Sequence, residues 1–155
     1  MPARVQGDDV EVDLGEANVG KPEALEIDGE RLEVTPVDVG NPHAVIRREP
    51  ERDELLRIGP LVEHHHRFPK RTNVQLVRPD GPNDLTVVVW ERGAGETRAS
   101  GSSAAAAAAA AVVHGWCESP VRVHLPGGTL EVDIREGRAI ISGPVVEVFR
   151  GETVH

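Results

Sequence analysis

The chain has 155 residues, 39% of them hydrophobic, which suits one domain spanning residues 1–155. Its formal charge of −9 argues against nucleic acid or an anionic membrane surface as a partner. The single cysteine, Cys117, excludes an internal disulfide and a cysteine-based zinc site. No signal peptide or bilayer-spanning run is evident, so we expect a cytoplasmic protein.

The sequence predicts a chain made mostly of short strands. Residues 10–14 alternate apolar and acidic side chains, as a half-buried strand does. Residues 24–34 predict a hairpin whose type I′ turn is Asp28-Gly29. Loops are predicted at residues 15–22 and 79–82. The other predicted strands are residues 44–46, 73–77, 85–90, 121–125, 129–134, 139–141 and 145–149. A turn at residues 126–128 joins the strands 121–125 and 129–134.

Helices are predicted at two places. Residues 51–57 have helical composition, Gly59-Pro60 is expected to break the helix, and residues 61–66 form a second helical turn. Residues 104–111 are eight alanines, and a helix that is apolar all round is buried. Ser102 or Ser103 is the expected N-cap and Gly115 the left-handed C-cap. The fold class is therefore α+β, with a strongly curved, mostly antiparallel sheet wrapped around a central buried helix. The N-terminus of this helix is a favourable site for a carboxylate.

One stretch carries a family resemblance. The segment ERGAGET at residues 91–97, followed by ASGS at 99–102, resembles the signature of diaminopimelate epimerases. Segments that agree in the same order are GNPH at 40–43, RFP and RTN at 67–69 and 71–73, LPGG at 125–128 and SGP at 142–144. There are two departures. Only the carboxy-terminal one of the family's two similar halves is present, and Ser100 stands where the family has a catalytic cysteine.

The resemblance implies a cofactor-independent isomerase of lysine and peptidoglycan precursor biosynthesis. Such enzymes interconvert LL- and meso-diaminopimelate by moving the α-proton between two cysteines, in a cleft between two halves that are each a strand barrel around a helix. No cofactor and no metal is implied. Carried to this chain, the catalytic residues are Ser100, Glu91 and His43. The implied substrate-binding residues are Asn41, Asn73, Glu91, Arg92, Gly101 and Ser102.

Some of these assignments carry a condition or a simpler alternative. Ser100 can act as a base only if a neighbour takes its proton. His43 could be a loop histidine bonded to backbone, Glu91 a salt-bridged strand end, and each asparagine a turn residue. The run of histidines at residues 64–66 suits a solvated loop better than a metal site. Cys117 lies roughly 18 Å along the helix from its N-terminus, which favours a structural thiol.

Several functions remain open at this point. The chain could be half of an epimerase, a single-base lyase or dehydratase of the same superfamily, or a non-catalytic amino-acid-binding or subunit-interaction module. Ser100 could also have been introduced to trap a ligand. We expect a small amino-acid substrate resembling diaminopimelate. The expected protein partner is an N-terminal half or, by self-association, a second copy of the chain, because a lone half exposes apolar surface.

Overall fold

The computed structural model describes residues 3–6 and 9–144, with side chains for residues 11–143. Within them the chain forms two helices, α1 (Arg52–Glu63) and α2 (Gly101–Val113), and twelve strands. The strands are β1 (Ala3–Gln6), β2 (Asp9–Glu16), β3 (Asn18–Val19), β4 (Glu23–Ile27), β5 (Glu30–Asp38), β6 (Pro42–Arg47), β7 (Asn73–Gly81), β8 (Asp84–Glu91), β9 (Gly95–Thr97), β10 (Val121–Leu125), β11 (Gly128–Arg135) and β12 (Arg138–Pro144).

The strands join in one sheet that nearly closes into a barrel. Its order is β1-β2-β12-β11-β10-β8-β7-β6-β5-β3, with β4 paired to β5 and β9 to β8. Two neighbouring pairs are parallel, β6 with β7 and β8 with β10, and the other described pairs are antiparallel. Helix α1 makes the crossover between β6 and β7. The predicted fold class, α+β with a mostly antiparallel sheet, is confirmed.

Helix α2 is the centre of the barrel. Its eight alanines, Ala104 to Ala111, are each at most 2% exposed. The helix contacts strands from β3 and β5 at one end of the sheet to β11 and β12 at the other. Because alanine side chains are small, the strand backbones can approach this helix from every side. A second hydrophobic cluster lies on the outer face of the sheet, where α1 packs with Leu55, Ile58 and Val62.

The predicted N-cap of α2 was wrong and its C-cap was right. Ser100, not Ser102 or Ser103, caps the helix, because only Ser100 has extended backbone (φ −155°, ψ 123°) and its Oγ accepts from the Ser103 N–H at 3.3 Å. At the other end Gly115 has φ +75°. Its N–H donates to Val112 O at 3.1 Å, and Trp116 N–H donates to Ala111 O at 2.8 Å, a Schellman motif.

The prediction that Gly59-Pro60 breaks the first helix was also wrong. Helix α1 runs unbroken from Arg52 to Glu63 with Pro60 inside it, so residues 61–63 do not begin a separate turn. A residue before proline is normally kept out of helix by its own Cβ, and Gly59 has none. Burial of the apolar face of the helix supplies the remaining stabilisation.

The two predicted hairpin turns are confirmed, whereas the two predicted loops are partly wrong. Asp28 and Gly29 have φ of 51° and 75°, as a type I′ turn requires. The hairpin between β10 and β11 also forms, with Leu125 paired to Gly128. Part of each predicted loop is strand instead, since β2 and β3 occupy much of residues 15–22 and β7 continues to Gly81. The predicted strand at 145–149 lies outside the described residues, and the assignment of residues 1–155 to one domain stays a prediction.

Candidate active site

Alternation along three neighbouring strands brings the predicted site residues to one face of the sheet. His43 in β6 lies opposite Asn73 in β7, and the next residue, Val74, lies opposite Trp90 in β8. Residues at even spacing along a strand share a face. The residues of these strands in the cluster around α2 include Val45, Val77 and Val89. His43, Asn73 and Glu91 stand at even spacing from them, so they face the side of the sheet that holds α2.

Asn73 ties two of the predicted motifs together. Its side chain is 4% exposed. Its Nδ2 donates to the Pro42 carbonyl at 3.0 Å, and its Oδ1 accepts from the Arg92 N–H at 2.7 Å. The simple interpretation of Asn73 as a turn residue is therefore wrong, since it bonds across two strand ends. One Nδ2 hydrogen of Asn73 remains for a ligand.

His43 is buried between two side-chain amides. Its Nε2 lies 2.9 Å from Asn41 Oδ1 and its Nδ1 lies 2.8 Å from Gln75 Nε2. Burial lowers the pKa of His43 to about 4, while Asp38 raises it and Arg92 lowers it further. The imidazole is therefore neutral near pH 7. The interpretation of His43 as a loop residue bonded to backbone is wrong, because it lies on β6 and bonds to side chains.

The first turn of α2 closes the other side of the site. Ser100 Oγ accepts from the Ser103 N–H and lies 3.4 Å from Ser102 Oγ. Gly101 is buried and Ser102 half-buried. Within the described residues neither His43 nor Glu91 hydrogen-bonds to Ser100. Among the residues that the structure describes, the hydroxyl of Ser100 therefore acts as a helix cap and is not hydrogen-bonded to a base.

Glu91, the first residue of the ERGAGET motif, ends β8, and Arg92 begins the turn that follows. Gly93 and Gly95 have φ of 79° and 89°, which glycine adopts without strain. Arg92 is exposed, and its Nη1 donates to the Lys70 carbonyl at 3.4 Å. Glu91 is half-buried, and across residues 11–143 its carboxylate has neither a hydrogen bond nor an ion pair. The alternative of a salt-bridged strand end is therefore wrong for Glu91.

A buried carboxylate that sequence reasoning missed holds this turn from the outer face. Glu63, at the end of α1, is 3% exposed. It accepts from Trp90 Nε1 and from the Gly93 N–H, both at 2.9 Å, and its Oε2 lies 3.4 Å from Arg71 Nη1. Burial raises the pKa of Glu63, but the hydrogen bonds from Trp90 and Gly93 together with the charges of His64 and Arg71 outweigh it, so the pKa lies below its usual value. Nothing in the local sequence singles out this glutamate from the exposed acidic residues of the helix.

Gln75 and the 126–127 turn complete the support of the site. Gln75 was also missed, although its spacing of two from Asn73 places both on the inner face. The turn of the LPGG motif packs on the segment before Ser100, where Gly127 N–H donates to Arg98 O at 2.8 Å. A Cβ on Gly127 would lie 3.1 Å from that oxygen, so the close approach favours glycine here.

The remaining candidates lie apart from this cluster. Cys117 is buried with its Sγ 3.6 Å from the Asp84 carbonyl, and burial and the Asp84 and Asp80 carboxylates raise the pKa of its thiol. His65 and His66 stack on each other at 4.3 Å. In residues 11–143 no three His, Cys, Asp or Glu side chains are grouped as metal ligands. In the part of the chain that the structure describes, no helix is long and apolar enough to cross a bilayer.

Solved structures define the class of this fold. A probable proline racemase from Agrobacterium radiobacter, with bound carbonate, superposes with a TM-score of 0.71 at 13% identity over 92% of this chain and 53% of its own. A predicted epimerase from Pseudomonas aeruginosa gives 0.64 at 20% identity, over 92% of this chain and 58% of its own. The chain thus has the fold found in amino-acid racemases and epimerases.

Sequence comparison narrows this class to a family. Residues 35–152 match the family model described as diaminopimelate epimerase. The diaminopimelate epimerase of Stutzerimonas stutzeri is 45% identical over 83% of this chain and 48% of its own length. That of Desulfitobacterium hafniense is 43% identical over 97% of this chain and 50% of its own. The chain belongs to the diaminopimelate epimerase family, and it spans about half the length of the curated relatives it matches. That it corresponds to the carboxy-terminal half stays a prediction.

Proposed function

We propose that this chain forms one side of a diaminopimelate epimerase site and acts with a companion half. The reaction is the interconversion of LL- and meso-2,6-diaminopimelate, without a cofactor, in cytoplasmic lysine and peptidoglycan precursor biosynthesis. The names of the relatives support this proposal. So does one observation, that His43, Asn73 and Glu91 converge on the inner face of the sheet at the N-terminus of α2.

The reaction removes the α-proton from one face of the carbon and returns a proton to the other. The first turn of α2, at Gly101 and Ser102, is proposed to bind the α-carboxylate, because the helix N-terminus carries partial positive charge. The same charge stabilises the negative charge that develops when the α-proton leaves. Asn41, Asn73 and Arg92 are proposed to bind the distal amino-acid end, with the Arg92 guanidinium on its carboxylate.

The proton-transfer groups are the unusual part of this site. Ser100 is not activated by any described neighbour, and an alcohol without a base does not abstract a carbon-bound proton. Glu91 is half-buried with no ion-pair partner across residues 11–143, which makes it the candidate proton acceptor on this face. The opposite face then requires an acid or base from the companion, and a cysteine there would supply it.

The companion is proposed to be a separate first half or, by self-association, a second copy of this chain. This follows from the length of the relatives, which are about twice as long as the matched region. Sedimentation velocity over a range of concentrations tests the second copy. A species of monomer mass at all concentrations would leave a separate half as the companion.

The test of the function is α-proton exchange. The chain is incubated with meso-diaminopimelate in D₂O, alone and with a cysteine-bearing first half from a relative. The α-hydrogens are followed by NMR and the stereochemistry by chiral chromatography. Exchange with inversion in the mixture is expected. Exchange without inversion would indicate single-base chemistry on one face and contradict the epimerase assignment, and no exchange in either sample would contradict a catalytic role.

One observation favours a second candidate, a non-catalytic amino-acid-binding or subunit-interaction module. Ser100 uses its oxygen to cap α2, a role that preserves the carboxylate-binding helix end without any acid or base. This alternative predicts that diaminopimelate binds, as measured by calorimetry, while its α-protons do not exchange. Exchange by the wild-type chain with the companion half separates the two candidates. A Ser100→Cys variant that binds equally well and exchanges, while the wild-type chain binds and does not exchange, would favour the binding module.

A further inference from the structure

Gln75 is a fully buried amide with an incomplete set of hydrogen bonds. It lies on β7 between β6 and β8, 0% exposed. Its Nε2 lies 2.8 Å from His43 Nδ1 and 3.0 Å from Ser103 Oγ. Its Oε1 is buried and has no hydrogen-bond partner in the part of the chain that the structure describes. Leaving a buried carbonyl unpaired costs stability, so the two bonds of Nε2 must fix the orientation of this amide.

The amide nitrogen of Gln75 determines where the proton of His43 lies. An amide NH₂ donates and does not accept, so His43 Nδ1 must be the acceptor in that bond. A neutral imidazole carries one N–H, which must then be on Nε2. This agrees with the other contact of the ring, since Nε2 lies 2.9 Å from the Asn41 Oδ1 acceptor. The two bonds run in one direction: Gln75 donates to His43, and His43 donates to Asn41, whose Oδ1 accepts.

We propose that Gln75 is a positioning residue. Its amide donates to the lone pair of His43 Nδ1 and so leaves the imidazole as a hydrogen-bond donor through Nε2. The role at the site rests on the proposed function. In this tautomer Nε2 has no lone pair, so His43 cannot take a proton from a thiol or alcohol on the Nε2 side. In this structure the Nε2–H donates to Asn41 Oδ1. It stabilises an anion, either a carboxylate of the amino-acid ligand or a thiolate of the companion half, when that anion takes the place of the Asn41 oxygen. The second bond of Gln75, to Ser103, ties this donor to the first turn of α2.

The tautomer is read directly by NMR of the ¹⁵N-labelled chain at neutral pH without ligand. Nε2 couples to both ring C–H protons, which identifies it, and a His43→Gln sample identifies the His43 signals among the seven histidines. We expect Nε2 to show the shift of a protonated nitrogen and Nδ1 that of an unprotonated one. A coupling across the hydrogen bond is expected between His43 Nδ1 and Gln75 Nε2. A protonated Nδ1 would overturn the proposal.

Two variants test whether Gln75 is the cause. In Gln75→Glu at alkaline pH, an ionised carboxylate can only accept, so the His43 proton is expected to move to Nδ1. Ser103→Ala removes the other bond of Gln75 and is the matched control, with the wild-type tautomer expected. An unchanged Nε2–H tautomer in Gln75→Glu once its carboxylate is ionised would show that residue 75 does not set the tautomer. If that variant does not fold, the coupling in the wild-type chain and in Ser103→Ala still decides.

The outcome of this experiment does not depend on whether the proposed function is correct. The NMR measurement contains no substrate, so absence of α-proton exchange leaves its outcome unchanged. Conversely, exchange with inversion accompanied by a protonated Nδ1 would retain the epimerase function and reject the positioning role of Gln75.

Discussion

Gly59 of α1 packs directly against Trp90 of the sheet, and Gly59→Ala tests whether that contact holds the site turn in place. A Cβ at this position would lie 2.7 Å from Trp90 Cγ and 2.9 Å from Trp90 Cβ, closer than real Cβ contacts. Trp90 is not free to rotate away, because its Nε1 donates to Glu63 Oε1 at 2.9 Å. The variant must therefore move either the helix or the indole ring.

The expected change in the free energy of unfolding of Gly59→Ala is the net result of two opposing effects. Overpacking of a core contact costs about 1–3 kcal/mol. Replacing glycine by alanine inside a helix stabilises the helix by up to about 1 kcal/mol. Here that gain is smaller, because the new Cβ also meets the ring of Pro60, which disfavours helical backbone at residue 59. We expect Gly59→Ala to lower the free energy of unfolding by about 1–2 kcal/mol. The loss should also disturb the Glu63 bond to the Gly93 amide.

Urea unfolding followed by tryptophan fluorescence measures this cost. The chain has two tryptophans, Trp90 and Trp116, and the first reports the contact itself. Gly81→Ala is the matched control, since a Cβ there would meet only Asp84 Oδ2 at 3.8 Å. Its stability should stay within about 0.5 kcal/mol of wild type. If Gly59→Ala is no less stable than Gly81→Ala, close packing of α1 on Trp90 does not matter and the reasoning is wrong.

Three further results are expected. Ser100→Cys should raise α-proton exchange in the presence of the companion half by roughly 10²- to 10⁴-fold, measured by NMR in D₂O, because a thiol at a helix N-terminus ionises readily; equal rates would contradict a role for position 100. Asn73→Ala should lower the free energy of unfolding by about 1–3 kcal/mol in urea, since it unpairs two backbone groups, whereas Asn73→Asp keeps the acceptor and should cost less. The pKa of His43 is lowered to about 4, whereas a histidine in the unfolded chain has a pKa of about 6.5. Between these two pH values the unfolded chain binds one more proton than the folded chain. The free energy of unfolding should therefore fall as the pH drops from about 6.5 towards 4. Urea unfolding across this window should show a shallower pH dependence in His43→Gln, and parallel curves would refute it.

Local patterns in the sequence predicted what depends on neighbouring residues. The alanine run predicted a buried central helix because no face of it could favour water. Asp28-Gly29 and Gly115 predicted left-handed backbone, which few other residues adopt cheaply. The break expected at Gly59-Pro60 did not occur, because Gly59 has no Cβ to meet the proline ring and burial of the apolar face of α1 supplies the remaining stabilisation. That burial is a tertiary contact, and a local pattern does not contain it.

The site was predicted through the family resemblance more than through chemistry. The structure brings His43, Asn73 and Glu91 together because β6, β7 and β8 are neighbours, a fact that the separate motifs do not state. The residues that fix the geometry were missed, and they bond over long separations. Gln75 and Ser103 are 28 residues apart, and Glu63 and Trp90 are 27. A buried polar residue looks like any other polar residue until its partner across the fold is known.

Ser100 explains how this half can keep its structure while its chemistry changes. Serine is among the best N-cap residues, because its short hydroxyl accepts from the first-turn amides, as Ser100 does from Ser103. A thiol is a poorer acceptor but a far better acid and base. Serine at position 100 therefore favours the stability of α2, and with it the end of the helix that is proposed to bind the α-carboxylate, over proton transfer. The contacts that surround the position, from Gln75 to Ser103 and from Gly127 to the Arg98 carbonyl, do not involve the Ser100 hydroxyl. The binding geometry and the acid–base group are thus separable in this fold.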